Sequence, residues 1–157
     1  MIRPGDLVFY RVTPQSGWLA RLIAALSIIF RQGSGPINYS HVAIAEDAGS
    51  LLEAWWPRSR RRAIDLGNTL LEVWRISEAS EAAAREAAAF ARRNLGQWYN
   101  PWELLSGLFR MKHASICTTF VVRAWKSVGY DLAVDSGSVI APNELMGANM
   151  LVRVSDV

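Results

Sequence analysis

Apolar and polar positions follow two different periods along this chain, and each change of period marks an element. A turn signal at Pro4-Gly5-Asp6 opens Leu7-Val8-Phe9-Tyr10-Arg11, which reads as a strand, and Thr13-Pro14-Gln15-Ser16-Gly17 closes it. Trp18 to Arg31 reads as a short, strongly apolar helix, ended by Gly33-Ser34-Gly35-Pro36. From Tyr39 to about Ile76 the pattern is that of antiparallel sheet. Within it His41-Val42-Ala43-Ile44-Ala45 and Leu51-Leu52-Glu53-Ala54-Trp55-Trp56 flank a turn at Asp47-Ala48-Gly49, Leu70 to Ile76 is a later strand, and Ala63-Ile64-Asp65-Leu66 a shorter one.

The period then lengthens. Ser77 is the expected cap of an Ala-rich helix with Glu78 and Glu81 at its start, Arg92 and Arg93 at its end and Gly96 as its stop, charges that suit the helix dipole. A second helix is expected from about Ser115 to Val128, with Gly129 as its stop. Cys117, Phe120, Val121, Ala124, Trp125 and Val128 share one face of it, so the cysteine sits in the first turn and points inward. Short strands near Ser138 to Ala141 and Leu151 to Val154 complete an α+β chain, expected to be one domain over residues 1–157.

Composition narrows the function classes. A chain of 157 residues buries enough surface to fold without a metal or disulfide staple, and its single cysteine allows no internal disulfide. The net charge of +3 is too small to argue for a nucleic-acid partner. No signal peptide is expected, because Pro4-Gly5-Asp6 falls where its apolar stretch would lie, and the run from Leu22 to Phe30 is too short to span a bilayer. A cytoplasmic protein is therefore expected. Metal-ligand clusters, phosphate-cradling glycine loops and paired acid/base carboxylates are missing from the sequence, which sets aside metalloenzyme, nucleotide-binding and glycosidase readings; no cofactor and no metal is expected.

What chemistry there is gathers around few residues. A thiol at a helix N-terminus is favoured as thiolate, so Cys117 is either a nucleophile or an inert core cysteine. Of the two histidines, His113 lies in the polar segment Arg110-Met111-Lys112-His113 and reads as a loop side chain. His41 begins an apolar strand, at a sheet edge where it faces a cleft. Glu53, set inside an apolar run, needs a partner if it is buried. If the hairpin closes with Ala43 opposite Glu53, His41 and Glu53 are diagonal neighbours on one face, and a slip of one residue separates them. Together the three residues supply a nucleophile, a base and an orienting carboxylate for acyl transfer. Tyr99 and the Cys117 backbone N–H are the expected oxyanion donors, with a buried structural role for the phenol left open.

The succession Gly5-Asp6-Leu7-Val8-Phe9, Tyr39-Ser40-His41-Val42-Ala43-Ile44, Leu52-Glu53-Ala54, Leu95-Gly96-Gln97-Trp98-Tyr99 and Cys117-Thr118-Thr119-Phe120-Val121 resembles the circularly permuted branch of the NlpC-type, papain-like cysteine hydrolases. That branch includes the YiiX-like proteins and the lecithin retinol acyltransferase relatives. The resemblance covers about residues 4 to 130, and the order His41, Glu53, Cys117 is that of the permuted branch. It implies a central antiparallel sheet packed against the nucleophile helix, with Cys117 as nucleophile, His41 as base, Glu53 as third polar residue and Tyr99 bordering the site. Thr118 stands where the family often has Ser, and the apolar insertion between Gly17 and Gly33 departs from its pattern.

The expected activity is cleavage of an amide bond in a peptide-like substrate through an acyl-cysteine. Two rivals stand beside it: acyl transfer to or from a lipid, or lipid hydrolysis, by the same triad; and a non-catalytic lipid- or peptide-binding module. Trp18 to Phe30 is either a helix buried on the sheet, the wall of an acyl pocket, or a peripheral membrane contact, with the Arg58, Arg60, Arg61, Arg62 cluster as a solvated loop or an aid to that contact.

Overall fold

The computed structural model describes residues 1–11, 39–65, 67, 71–98, 117–132, 142–145 and 149–154. The segment Trp18 to Phe30, Tyr99, His113 and the expected strand at Ser138 to Ala141 lie outside them. In chain order the described elements are β1 (Leu7–Arg11), β2 (Tyr39–Ala45), β3 (Ser50–Glu53), β4 (Arg60–Ala63), β5 (Leu71–Ile76), α1 (Glu81–Arg93), α2 (Cys117–Lys126), α3 (Pro142–Leu145) and β6 (Leu151–Arg153). The six strands form one sheet in the order β4-β3-β2-β1-β5-β6, antiparallel at every step. The class is α+β.

Alternation sorts the strand side chains onto two faces. Leu7, Phe9, Val42, Ile44 and Ile76 join Ala87 and Ala91 of α1 and Phe120, Val121, Ala124 and Trp125 of α2 in the larger core. Val8, Ala43, Ala45, Leu51 and Val73 form a smaller cluster with Ile2. The apolar stripe of α2, with its cysteine in the first turn, is buried against β2. The alanines of α1 let the helix come so close that a Cβ on Gly5 would sit 2.8 Å from the Ala84 carbonyl oxygen, and Gly5 has φ +87 besides.

Four local readings are corrected. The cap of α1 is Ser80, not Ser77: its hydroxyl accepts from the Ala83 N–H at 3.1 Å, so the helix starts at Glu81 and Glu78 precedes it. The short strand is Arg60–Ala63 rather than Ala63 to Leu66, because pairing with β3 sets it, Glu53 opposite Arg60 and Ser50 opposite Ala63. Arg60, Arg61 and Arg62 thereby belong to a strand and not a loop, while Arg58 precedes it in an isolated bridge to Trp98. His41 is on β2, an interior strand, and not at the sheet edge.

Candidate active site

The site begins with an irregularity in β2. Tyr10 pairs with His41 but Arg11 with Tyr39, which leaves Ser40 as an extra residue immediately before the histidine. Such a bulge bends the strand and re-aims the next side chain. On the other side of β2, Ile44 pairs with Leu52 and Ala45 with Leu51, a register that continues to Ala43 beside Glu53. That register brings His41 Nε2 to 3.0 Å from Glu53 Oε2. An ionised carboxylate only accepts, so Nε2 carries the proton and donates, and Nδ1 is left for the remaining partner of the ring.

That partner is Cys117, the first residue of α2. Burial pushes the Cys117 thiol up, but the charge and hydrogen bond of His41, joined by the backbone N–H groups of Val42 and Thr118, outweigh burial and hold its pKa below the ordinary 9.0. The helix N-terminus favours the same charge state. Burial alone would lower the His41 pKa; the Cys117 thiolate and its hydrogen bond, then Glu53, reverse this and raise it from 6.5 to about 9. The thiol is shifted down and the imidazole up, and both shifts favour the form of the pair in which the shared proton sits on the imidazole. Both residues are enclosed, with Cys117 7% and His41 9% exposed.

Glu53 is fully buried and has a second partner that the sequence pattern did not disclose. Arg60, opposite it on β4, donates from Nε to Glu53 Oε1 at 2.9 Å. Burial pushes the carboxyl up, but His41 and Arg60 outweigh it and keep its pKa below 4.5. The Arg60 guanidinium also lies 4.9 Å from the centre of the Trp55 ring, which meets the His41 ring edge-on at 5.2 Å. Tyr10 flanks the imidazole on the neighbouring strand at 5.4 Å. Carboxylate, guanidinium and indole thus close a ring of contacts that fixes the imidazole plane. The one available clue to Arg60 was the alternation of Glu53 with its cross-strand partner, and that needed the correct β4.

Cys117, His41 and Glu53 are brought together, and Tyr99 lies outside the described residues. The Thr118 hydroxyl is buried and has no hydrogen-bond partner among the described residues. Among the described residues no group of three or more His, Cys, Asp or Glu side chains could hold a metal ion, and both oxygens of Glu53 are already engaged. No described helix is long and apolar enough to cross a membrane.

No family model and no curated protein matches this chain. Among solved structures, the metalloprotein yiiX from Escherichia coli O157:H7 is similar: the alignment covers 99% of this chain and 97% of that one at 15% sequence identity, with a TM-score of 0.66. What the two proteins share at that identity is a fold, and the chain has a YiiX-like fold.

Proposed function

We propose that this chain is a cysteine hydrolase of the permuted papain-like, NlpC type, cleaving an amide bond in a peptide-like substrate through an acyl-Cys117 intermediate. The observation that carries the reading is the His41 ring, with Nε2 on a buried carboxylate and its other nitrogen facing a thiol at a helix start. The Cys117 thiolate attacks the carbonyl carbon, and the negative charge moves to the carbonyl oxygen, where the backbone N–H of Cys117 is an available donor. As that charge returns, the C–N bond breaks and His41 gives its proton to the departing amine, leaving a thioester. Water then attacks the thioester carbonyl, His41 takes the water proton, and the C–S bond breaks to release the acid and restore the ion pair. Glu53 keeps the ring oriented throughout, and Arg60 keeps Glu53 in place.

The similar yiiX is a metalloprotein. Here the described donors do not fit a resident ion, since the Glu53 oxygens are held by His41 and Arg60. A second reading, acyl transfer to or from a lipid by the same triad, is favoured by the exposed indole of Trp55 against the His41 ring, followed in the chain by the exposed indole of Trp56. Incubation with peptide and lipid libraries, followed by mass spectrometry of Cys117, separates the readings. A peptidyl adduct absent from Cys117→Ala supports the hydrolase, a fatty acyl adduct supports the lipid reading, and no adduct from either library contradicts both.

A further inference from the structure

Arg58, Arg60 and Arg62 stand at alternate positions leading into and along β4, and each guanidinium lies over an aromatic ring. Arg58 is 4.2 Å from the Trp98 centroid, Arg60 4.9 Å from Trp55, and Arg62 5.9 Å from Tyr10. Arg61, between them, turns instead to Glu46 and Asp47. Arg60 is committed to Glu53, whereas among the described residues no carboxylate is paired with Arg58 or Arg62. Backbone bonding fixes the arrangement: Arg58 bridges to Trp98, and Ser59 exchanges hydrogen bonds with Gly96 and Gln97. β4 ends the sheet, and all of its residues are exposed.

Of the large apolar side chains exposed among the described residues, three are the indoles of this patch, with Trp98 67%, Trp56 56% and Trp55 37% exposed. They do not form the continuous apolar core of a protein interface; they are interleaved with cations. Indole rings with one polar edge, set among guanidinium groups, suit the boundary between lipid headgroups and acyl chains, where the rings lie at headgroup depth and Arg meets phosphate. We infer that the Arg58, Arg62, Trp56 and Trp98 face docks this protein on a membrane surface rich in anionic phospholipid, with Trp55, which packs on the His41 ring, next to the contact. This docking does not depend on the chemistry proposed for the site.

The test uses the full chain in sedimentation with phosphatidylcholine vesicles, with and without phosphatidylglycerol, at low and high salt. Binding is expected to the phosphatidylglycerol vesicles and to weaken with salt. Each Arg near an anionic surface strengthens partitioning by about fivefold, so Arg58→Glu with Arg62→Glu should weaken it by at least about 30-fold. Trp56→Ala with Trp98→Ala should weaken it too and remove a blue shift of the indole emission. All four side chains are exposed and outside the proposed machinery, so Cys117 alkylation should be unchanged in both variants, which shows that they are folded. The inference is overturned by absence of vesicle binding, by binding indifferent to phosphatidylglycerol, or by binding that both variants retain. It is equally overturned if polyglutamate or a single-stranded oligonucleotide binds through these arginines while vesicles do not.

Discussion

Replacing Glu53 by Gln keeps the shape of a side chain that is fully buried and removes its charge. Both contacts of the carboxylate come from donors, His41 Nε2 at 3.0 Å and Arg60 Nε at 2.9 Å. A Gln amide has one acceptor oxygen and one NH₂ group, so one of the two contacts must become donor against donor. A hydrogen bond to a charged group contributes about 1.5–3 kcal/mol, and the variant should lose about that much. The full cost of breaking a buried ion pair, about 3–5 kcal/mol, is not expected, because the Arg60 side chain is 46% exposed and can turn to water. For a chain of this size the loss corresponds to a fall in Tm of about 3–12 °C. The His41 pKa should drop from about 9 and hold the thiolate less firmly, so turnover should fall by about 10-fold to 10³-fold. Thermal unfolding, iodoacetamide labelling of Cys117 and turnover of a substrate found by adduct trapping read the three effects. Turnover and labelling within about twofold of the parent would refute the orienting role of Glu53, whatever happens to Tm.

Arg60→Met should reduce turnover by a smaller factor, about 3-fold to 10-fold, and move the labelling profile to higher pH, because Glu53 keeps His41 but loses its clamp; Arg60→Lys should recover part of both. In NMR titration His41 should deprotonate near pH 9 and at lower pH in Cys117→Ala, where burial is no longer opposed by the thiolate. Glu53 and Glu72 are both held below their ordinary 4.5, so their contribution to stability is complete above pH 4.5 and is lost as pH falls through their lower native values, which urea midpoints measured against pH would show. Gly5→Ala should cost about 2–5 kcal/mol in urea unfolding, from a left-handed backbone and the clash with Ala84 together.

The strongest sequence signals were those where a single period governs a whole element. Apolar runs bounded by turn residues located β1 and β2, whose two faces are both buried, and the stripe from Cys117 to Trp125 located α2, where burial of one face selects the apolar positions. The cap of α1 was misplaced because Ser77 and Ser80 are both good caps, and the one whose hydroxyl reaches a free N–H is fixed only when the chain leaves β5: Ser77 is bound instead to the Met150 carbonyl. Strand β4 was missed because Arg60-Arg61-Arg62 carries no apolar alternation; the pairing with β3, and the aromatic rings under the guanidinium groups, hold it.

Glu53 shows how far a pattern argument reaches. Glu72, between Leu71 and Val73, has the same signature and is also buried, yet its partners are Arg11, Arg153, Trp74 and the Tyr39 hydroxyl, so it is a structural carboxylate. What distinguishes Glu53 is the hairpin register that delivers His41 to it, together with the Ser40 bulge next to that histidine. The bulge breaks the period and leaves no trace in hydropathy.

The central claim is that Cys117 is held as a thiolate by His41, and the rate of Cys117 carbamidomethylation against pH, followed by intact mass, tests it most directly. With the pair as described, labelling should already be fast at about pH 6, well below the free-thiol value of about 8.5, and should slow sharply in His41→Ala. Labelling of the native protein that is absent, or that rises only near the free-thiol pKa with or without His41, would contradict the account.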